Sequence, residues 1–197
     1  MKVAAGVSDV RSEKGVIESG DRIATLTFVF TDVVGSTRLW EEHPVEMGRA
    51  MERHDAVATS VMAEHSVLSL KNTGDGFMGV FGSAFHAVLA AIELQKTLVA
   101  EDWSGGVRPE VRIGIHTGAA TVRHGDFFGS TVNRAARVEE VAHGGQIIMS
   151  QSTAELAAEH LGPDVHMIDL GTRRLRDLAQ PEQLFQAVRA GMQEQFP

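Results

Sequence analysis

Apolar positions along this chain recur with two periods, and the switching between them predicts strands interleaved with helices. Ile23 to Phe30 is a continuous apolar, β-branched and aromatic run, which reads as a buried strand. From Val45 to about His65, Met51, Val57, Val61 and Met62 fall at helical spacings with charges between them. Val67 to Leu70 and Phe77 to Phe81 read as short strands around Gly74-Asp75-Gly76, a hairpin signal. Ala84 to Ala100 predicts a helix with Ser83 as N-cap, followed by a polar, glycine-containing loop to Pro109. Val111 to His116 alternates as a strand and resumes after Gly118 over Ala119 to Val122. Thr131 to about Ala142 predicts a helix stopped by Gly144-Gly145, and Gln146 to Met149 a strand. Ser152-Thr-Ala-Glu155 reads as a capping box opening a further helix, and Met167 to Leu170 and Leu184 to Val188 as the last strands.

This order predicts an α/β fold, an α+β sandwich with a mixed sheet. Strand-helix-strand-strand-helix-strand fits a ferredoxin-like βαββαβ core with C-terminal additions. The expected organisation is a flexible leader over 1–22, one folded domain over 23–190 and a tail over 191–197.

Charge narrows the partners. The net charge is −8 with no basic block, which argues against a nucleic-acid surface and an anionic-membrane anchor. There is no cysteine, so neither a disulfide framework nor thiolate chemistry is available. The N-terminal residues lack an apolar signal core and no run is long enough to span a bilayer, so a cytoplasmic location is expected. The nine histidines show no zinc spacing, and no nucleophile motif stands out.

Candidate chemistry concentrates in three segments. Phe28-Val-Phe-Thr-Asp-Val-Val-Gly-Ser-Thr37 is a strand ending in Asp32, followed by small residues able to open a helix. Asp75 sits in Lys71-Asn-Thr-Gly-Asp-Gly-Phe77 between two strand-like runs. Acids at the ends of hydrophobic strands are a common way to hold divalent metals for phosphoryl chemistry, although Asp also suits an N-cap or a turn. The third segment, Asp126-Phe-Phe-Gly-Ser-Thr-Val-Asn133-Arg-Ala-Ala-Arg137, supplies a carboxylate, an amide and a guanidinium. Asn133 and Arg137 are four apart on the predicted helix and share a face. Gly74-Asp-Gly-Phe-Met-Gly79 fits the dinucleotide-binding pattern, but a strand follows it where that pattern needs a helix.

Together, in this order, the three segments resemble the catalytic motifs of class III nucleotidyl cyclases over about residues 24–187. The resemblance implies the class III cyclase fold. It implies two divalent metal ions, Mg²⁺ or Mn²⁺, held by Asp32, Asp75 and the Val33 carbonyl. Val34, Gly35, Ser36 and Thr37 would offer helix N-terminal N–H groups to a triphosphate. Lys71 and Asp126 match the base-reading pair of adenylate cyclases. A lysine only donates and a carboxylate only accepts, which suits adenine N1 and its 6-amino group. Asn133 would orient the ribose and Arg137 would meet charge on the α-phosphate. Arg176, in Leu175-Arg176-Asp177, stands where the family usually has a phosphate-contacting lysine. The resemblance further implies ATP as substrate, with cyclic AMP and pyrophosphate as products. It also implies a homodimer in which the metal acids and the base readers of one site come from opposite chains. A guanylate cyclase, or a catalytically silent nucleotide-binding regulatory relative, is the alternative.

Overall fold

The structure is a computed structural model and describes residues 21–103 and 105–197. Most of the leader expected over 1–22 therefore lies outside the described residues. Its last residue, Arg22, already begins a strand.

The elements are β1 (Arg22–Val33), α1 (Ser36–Glu42), α2 (Pro44–Glu64), β2 (Ser69–Asn72), β3 (Phe77–Phe81), α3 (Ala84–Ala100) and β4 (Val111–Arg123). Then follow β5 (Asp126–Phe128), α4 (Ser130–Glu140), β6 (Ile147–Ser150), α5 (Gln151–Ala158), β7 (Val165–Arg173) and β8 (Glu182–Arg189). They build one sheet in the order β2-β3-β1-β4-β6-β8-β7, with β5 paired to β4. The segment β2-β3-β1-β4 is antiparallel throughout and is the ferredoxin-like core. β6 joins it parallel to β4 through the α4 crossover, and the β7–β8 hairpin extends the far edge.

Strand alternation splits the core between two faces. Val29, Val33, Phe81, Ile113 and Ile115 pack with the buried sides of α2, α3 and α5 in one large cluster. Leu26, Phe28, Met78 and Val80 face the other way, toward Ala135 of α4 and Phe127 of β5. Phe127 meets Phe28 edge-on, with ring centroids 5.8 Å apart. α4 lies close enough that a Cβ on Gly114 would overlap the Glu139 backbone. Asp32 shares its side of β1 with Phe28 and Phe30, so it projects onto this second face.

Two expectations are corrected. β2 begins at Ser69 rather than Val67, because the Val67 N–H still bonds the Met62 carbonyl and completes the end of α2. Ser152 caps no helix, since α5 starts at Gln151. Its hydroxyl instead donates to the Thr117 carbonyl at 2.9 Å, while Glu155 accepts from Gln151 at 2.7 Å. Tertiary partners have outbid the local cap. The tail over 191–197 packs against the sheet: Met192 reaches the main core, Phe196 stacks on His143, and Gln186 donates to the Glu194 carbonyl at 3.1 Å.

Candidate active site

The hairpin between β2 and β3 is pressed onto the end of β1. The Val33 N–H bonds the Asp75 carbonyl at 3.1 Å, and the Phe77 N–H bonds the Thr31 hydroxyl at 2.9 Å. A Cβ on Gly76 would overlap the Thr31 carbonyl, so only glycine permits this approach. The result places Asp75, on the hairpin tip, beside the end of β1 that carries Asp32 and Val33.

Each acid has a partner. Arg112, directly across from Asp32 in the β1–β4 ladder, donates to Asp32 Oδ2 through Nε at 3.1 Å and Nη2 at 2.7 Å. The same guanidinium donates through Nη1 to the Glu140 carbonyl at the end of α4, at 3.1 Å. Arg112 Nε also lies 2.5 Å from Glu139 Oε1, but its N–H is aimed at Asp32, so that buried Glu139 oxygen receives charge without a hydrogen bond. Burial therefore dominates and pushes the Glu139 carboxyl up to about 7, with Arg112 opposing it. The Trp40 indole N–H of α1 donates to Asp75 Oδ1 at 3.3 Å.

Lys71 and Asp126 come from opposite borders of the second face. β5 folds over the sheet and brings them together, Lys71 Nζ donating to Asp126 Oδ1 at 2.6 Å. That bond, helped by the Phe127 N–H, holds the Asp126 carboxyl below its usual value. The Lys71 ammonium also stands 6.0 Å from the Phe127 ring centre.

Arg137 and Arg176 converge on one anionic pair. Arg137 bonds both Glu140 and Asp177, the latter at 2.8 Å, and Arg176 bonds the same Glu140 oxygen at 2.9 Å. Asp177 adopts φ 61°, a left-handed conformation unusual for a side-chain-bearing residue. Asn133 lies exposed one turn before Arg137. Val34, Gly35, Ser36 and Thr37 lead into α1 at the surface, with Gly35 at φ 68° as N-cap and no side chain capping the helix.

The structure thus brings Asp32, Val33 and Asp75 to one strand end, Lys71 to Asp126, and Arg137 to Arg176. No described contact joins Asp32 or Asp75 directly to Arg137. Arg112, Glu140, Trp40 and Asp177 were missed from sequence. Only the register of β1 on β4 reveals that Arg112 faces Asp32.

Residues 19–176 match the adenylate and guanylate cyclase catalytic domain. The chain belongs to this family. A Mycobacterium tuberculosis protein of uncharacterised function is 35% identical over 175 residues, covering 88% of this chain and 59% of its own length. The cyclase domain thus spans little more than half of that relative. A receptor-type adenylate cyclase of Trypanosoma congolense is 30% identical over 205 residues, covering 82% of this chain and 27% of its own. Among solved structures, the adenylyl cyclase CyaB of P. aeruginosa superposes with a TM-score of 0.78 at 25% identity, covering 87% of this chain and 97% of that one. The guanylyl cyclase Cya2 superposes at 0.76, also at 25% identity, covering 89% and 96%. The class III cyclase fold expected from the motifs is the fold observed.

Among the described residues no helix is long and apolar enough to cross a membrane. Nor does any group of three or more His, Cys, Asp or Glu gather closely enough to hold a metal unaided. Two carboxylates at one strand end are hard oxygen donors, however. They fit an ion of the Mg²⁺ type, which binds through one or two carboxylates and completes its shell with substrate phosphates.

Proposed function

We propose that this domain is a cytoplasmic adenylate cyclase, forming 3′,5′-cyclic AMP and pyrophosphate from ATP at sites shared between two copies of the chain. The observation that carries the base assignment is the Lys71–Asp126 pair, one obligate donor and one obligate acceptor side by side. Adenine N1 accepts and its 6-amino group donates, so the pair matches that edge. Guanine offers the opposite pattern.

Asp32, Asp75 and the Val33 carbonyl would hold the divalent ions. When bound, such ions lower the pKa of the ribose 3′-hydroxyl and neutralise phosphate charge. The chain's own groups do the rest. The 3′-oxygen attacks the α-phosphorus as the bond to the β-phosphate oxygen breaks, and pyrophosphate leaves. The hydroxyl proton passes to an Asp32 oxygen or to water. Arg137 meets the charge developing on the α-phosphate, and Arg176 adds a second guanidinium at the phosphates. Both are now neutralised by Glu140 and Asp177, which phosphate oxygens would replace. Asn133 fixes the ribose, and the backbone of Val34 to Thr37 faces the triphosphate. With the acids at one strand end and Arg137 satisfied elsewhere, a second chain supplies the base-reading and arginine half of each site.

A guanylate cyclase reading rests on the likeness to Cya2, at the same 25% identity as CyaB and a TM-score of 0.76 against 0.78. Purified protein supplied with ATP or GTP, each with Mg²⁺ or Mn²⁺, separates the two readings. Cyclic AMP from ATP in clear excess over cyclic GMP from GTP is the expected result. Cyclic GMP as the main product would reverse the base assignment, and no cyclic product from either nucleotide would contradict cyclase activity.

A further inference from the structure

The hairpin bearing Asp75 is tied to α2 by a line of side chains that the turn itself does not need. Asn72, the last residue of β2, accepts the Gly74 N–H on Oδ1 at 2.8 Å. That bond alone would shape the turn. Asn72 also donates through Nδ2 to Asp55 Oδ2 at 3.2 Å. Asp55 Oδ1 in turn lies 2.9 Å from Nδ1 of His54. A carboxylate only accepts, so the imidazole proton sits on Nδ1.

His54 is an unusual occupant of its place. It is fully buried on the core side of α2, its ring 5.7 Å from that of Phe77, and among the described residues its Nε2 has no hydrogen-bond partner. A leucine there would avoid an unpaired buried nitrogen. What the histidine adds is its grip on Asp55. Asp55 thus has both oxygens engaged, one toward the helix core and one toward the hairpin.

Besides the Trp40 bond to the Asp75 carboxylate, the backbone of the hairpin tip is held from two directions. On one side the Asp75 carbonyl and Gly76 are locked against β1. On the other, Gly74, the residue before Asp75, is held through Asn72 to α2. We propose that Asp55 and Asn72, anchored by His54, are positioning residues that set the direction of the Asp75 carboxylate and so the affinity of the divalent ion it holds. This rests on the reading of Asp75 as a metal ligand given above.

The bond between positions 55 and 72 can be broken from either end and restored by exchange. Asp55→Asn sets an amide donor against the Asn72 donor or gives up the His54 contact. Asn72→Asp keeps an acceptor for Gly74 but sets two carboxylates together. In the double variant the amide at position 55 accepts from His54 and donates to the carboxylate at position 72, which still accepts from Gly74. Mn²⁺ affinity is measured by calorimetry on the intact protein with 3′-deoxy-ATP, which lacks the attacking hydroxyl, and folding by melting temperature. Each single variant should weaken Mn²⁺ binding about ten-fold, as loss of a ligand-orienting contact does elsewhere. The exchange should bring it back to within about three-fold of the parent. A purely electrostatic effect would instead move the two single variants in opposite directions, and that result would overturn the proposal, as would unchanged affinity in both. Asn72→Ser, which keeps an acceptor for the turn and drops the link to Asp55, replaces Asn72→Asp should that variant not fold. Asp75→Asn serves as reference: if it retains Mn²⁺ affinity, the metal assignment itself fails, whereas loss there with intact binding in the 55 and 72 variants defeats only the positioning role.

Discussion

Lys71 and Asp126 meet through a 2.6 Å hydrogen bond although β3, β1 and β4 all intervene in the sheet between their strands. The meeting is possible because β5 folds back over the face, seated by Phe127 on Phe28. An ion pair this exposed contributes little to stability. Its value lies in holding one donor and one acceptor at a fixed spacing.

Base choice should therefore follow these two residues. Lys71→Glu combined with Asp126→Ser should cut turnover of ATP and favour GTP. Each mismatched polar contact in a closed base pocket costs about 1–3 kcal/mol. The check is the ratio of kcat/KM for the two nucleotides. A ratio that stays where it was in the parent would remove Lys71 and Asp126 from base recognition.

Arg112 should matter to both fold and turnover. It ties Asp32, the Glu140 carbonyl and the charge of Glu139 together. Arg112→Met leaves Asp32 and Glu139 without a counter-charge. The loss of charged hydrogen bonds, moderated by partial exposure, should cost about 1–3 kcal/mol, a melting temperature lower by several degrees in a chain of this size. Arg112→Lys should recover part of the stability but not the two-pronged hold on Asp32. Equal melting temperatures for parent and Arg112→Met would contradict this.

Glu139 gives the fold a pH dependence with a definite sign. Its carboxyl is raised by burial to about 7 in the folded chain. A group with a raised folded value favours the fold at low pH, and that contribution is lost as pH climbs from the unfolded value, near 4.5, through about 7. Glu139→Gln should accordingly be more stable than the parent at pH 8 by up to about 3 kcal/mol, with the advantage shrinking toward pH 5. His116 works in the other direction. Burial, with Arg134 adding, lowers it to about 4, so its contribution is lost as pH falls from 6.5 toward that value. Melting temperatures from pH 4 to 9 test both slopes, and a pH-independent gap between parent and Glu139→Gln would contradict the first.

The two acids were legible in the sequence because each stands where an apolar strand stops, a local signal. The ferredoxin-like order was legible for the same reason, since β1, β3 and β4 are long or strongly apolar. β5 was not, because three residues carry no periodicity and Phe127 finds its place only against Phe28. Arg112 was invisible as a partner of Asp32 because their pairing depends on a register between positions 80 apart. The capping-box reading of Ser152 and Glu155 failed through competition: Ser150, the true N-cap, has its hydroxyl taken by His116 at 2.7 Å, and Ser152 by the Thr117 carbonyl. Arg176, proposed as a phosphate contact, departs from the family pattern in sequence, yet it shares Glu140 with Arg137.

The central claim is that one site takes its acids from one chain and its arginine from another. Asp75→Ala and Arg137→Ala should each be inactive alone. In a mixed dimer of the two variants, one site carries both defects and the other carries none. Random equal mixing makes about half the dimers mixed, each with one intact site of two, so roughly a quarter of the parent activity should return. The measurement is cyclic AMP formation after the two variants are co-expressed or refolded together. Recovery near a quarter is the predicted result, and silence from a mixture in which heterodimers are shown to form would contradict the shared site.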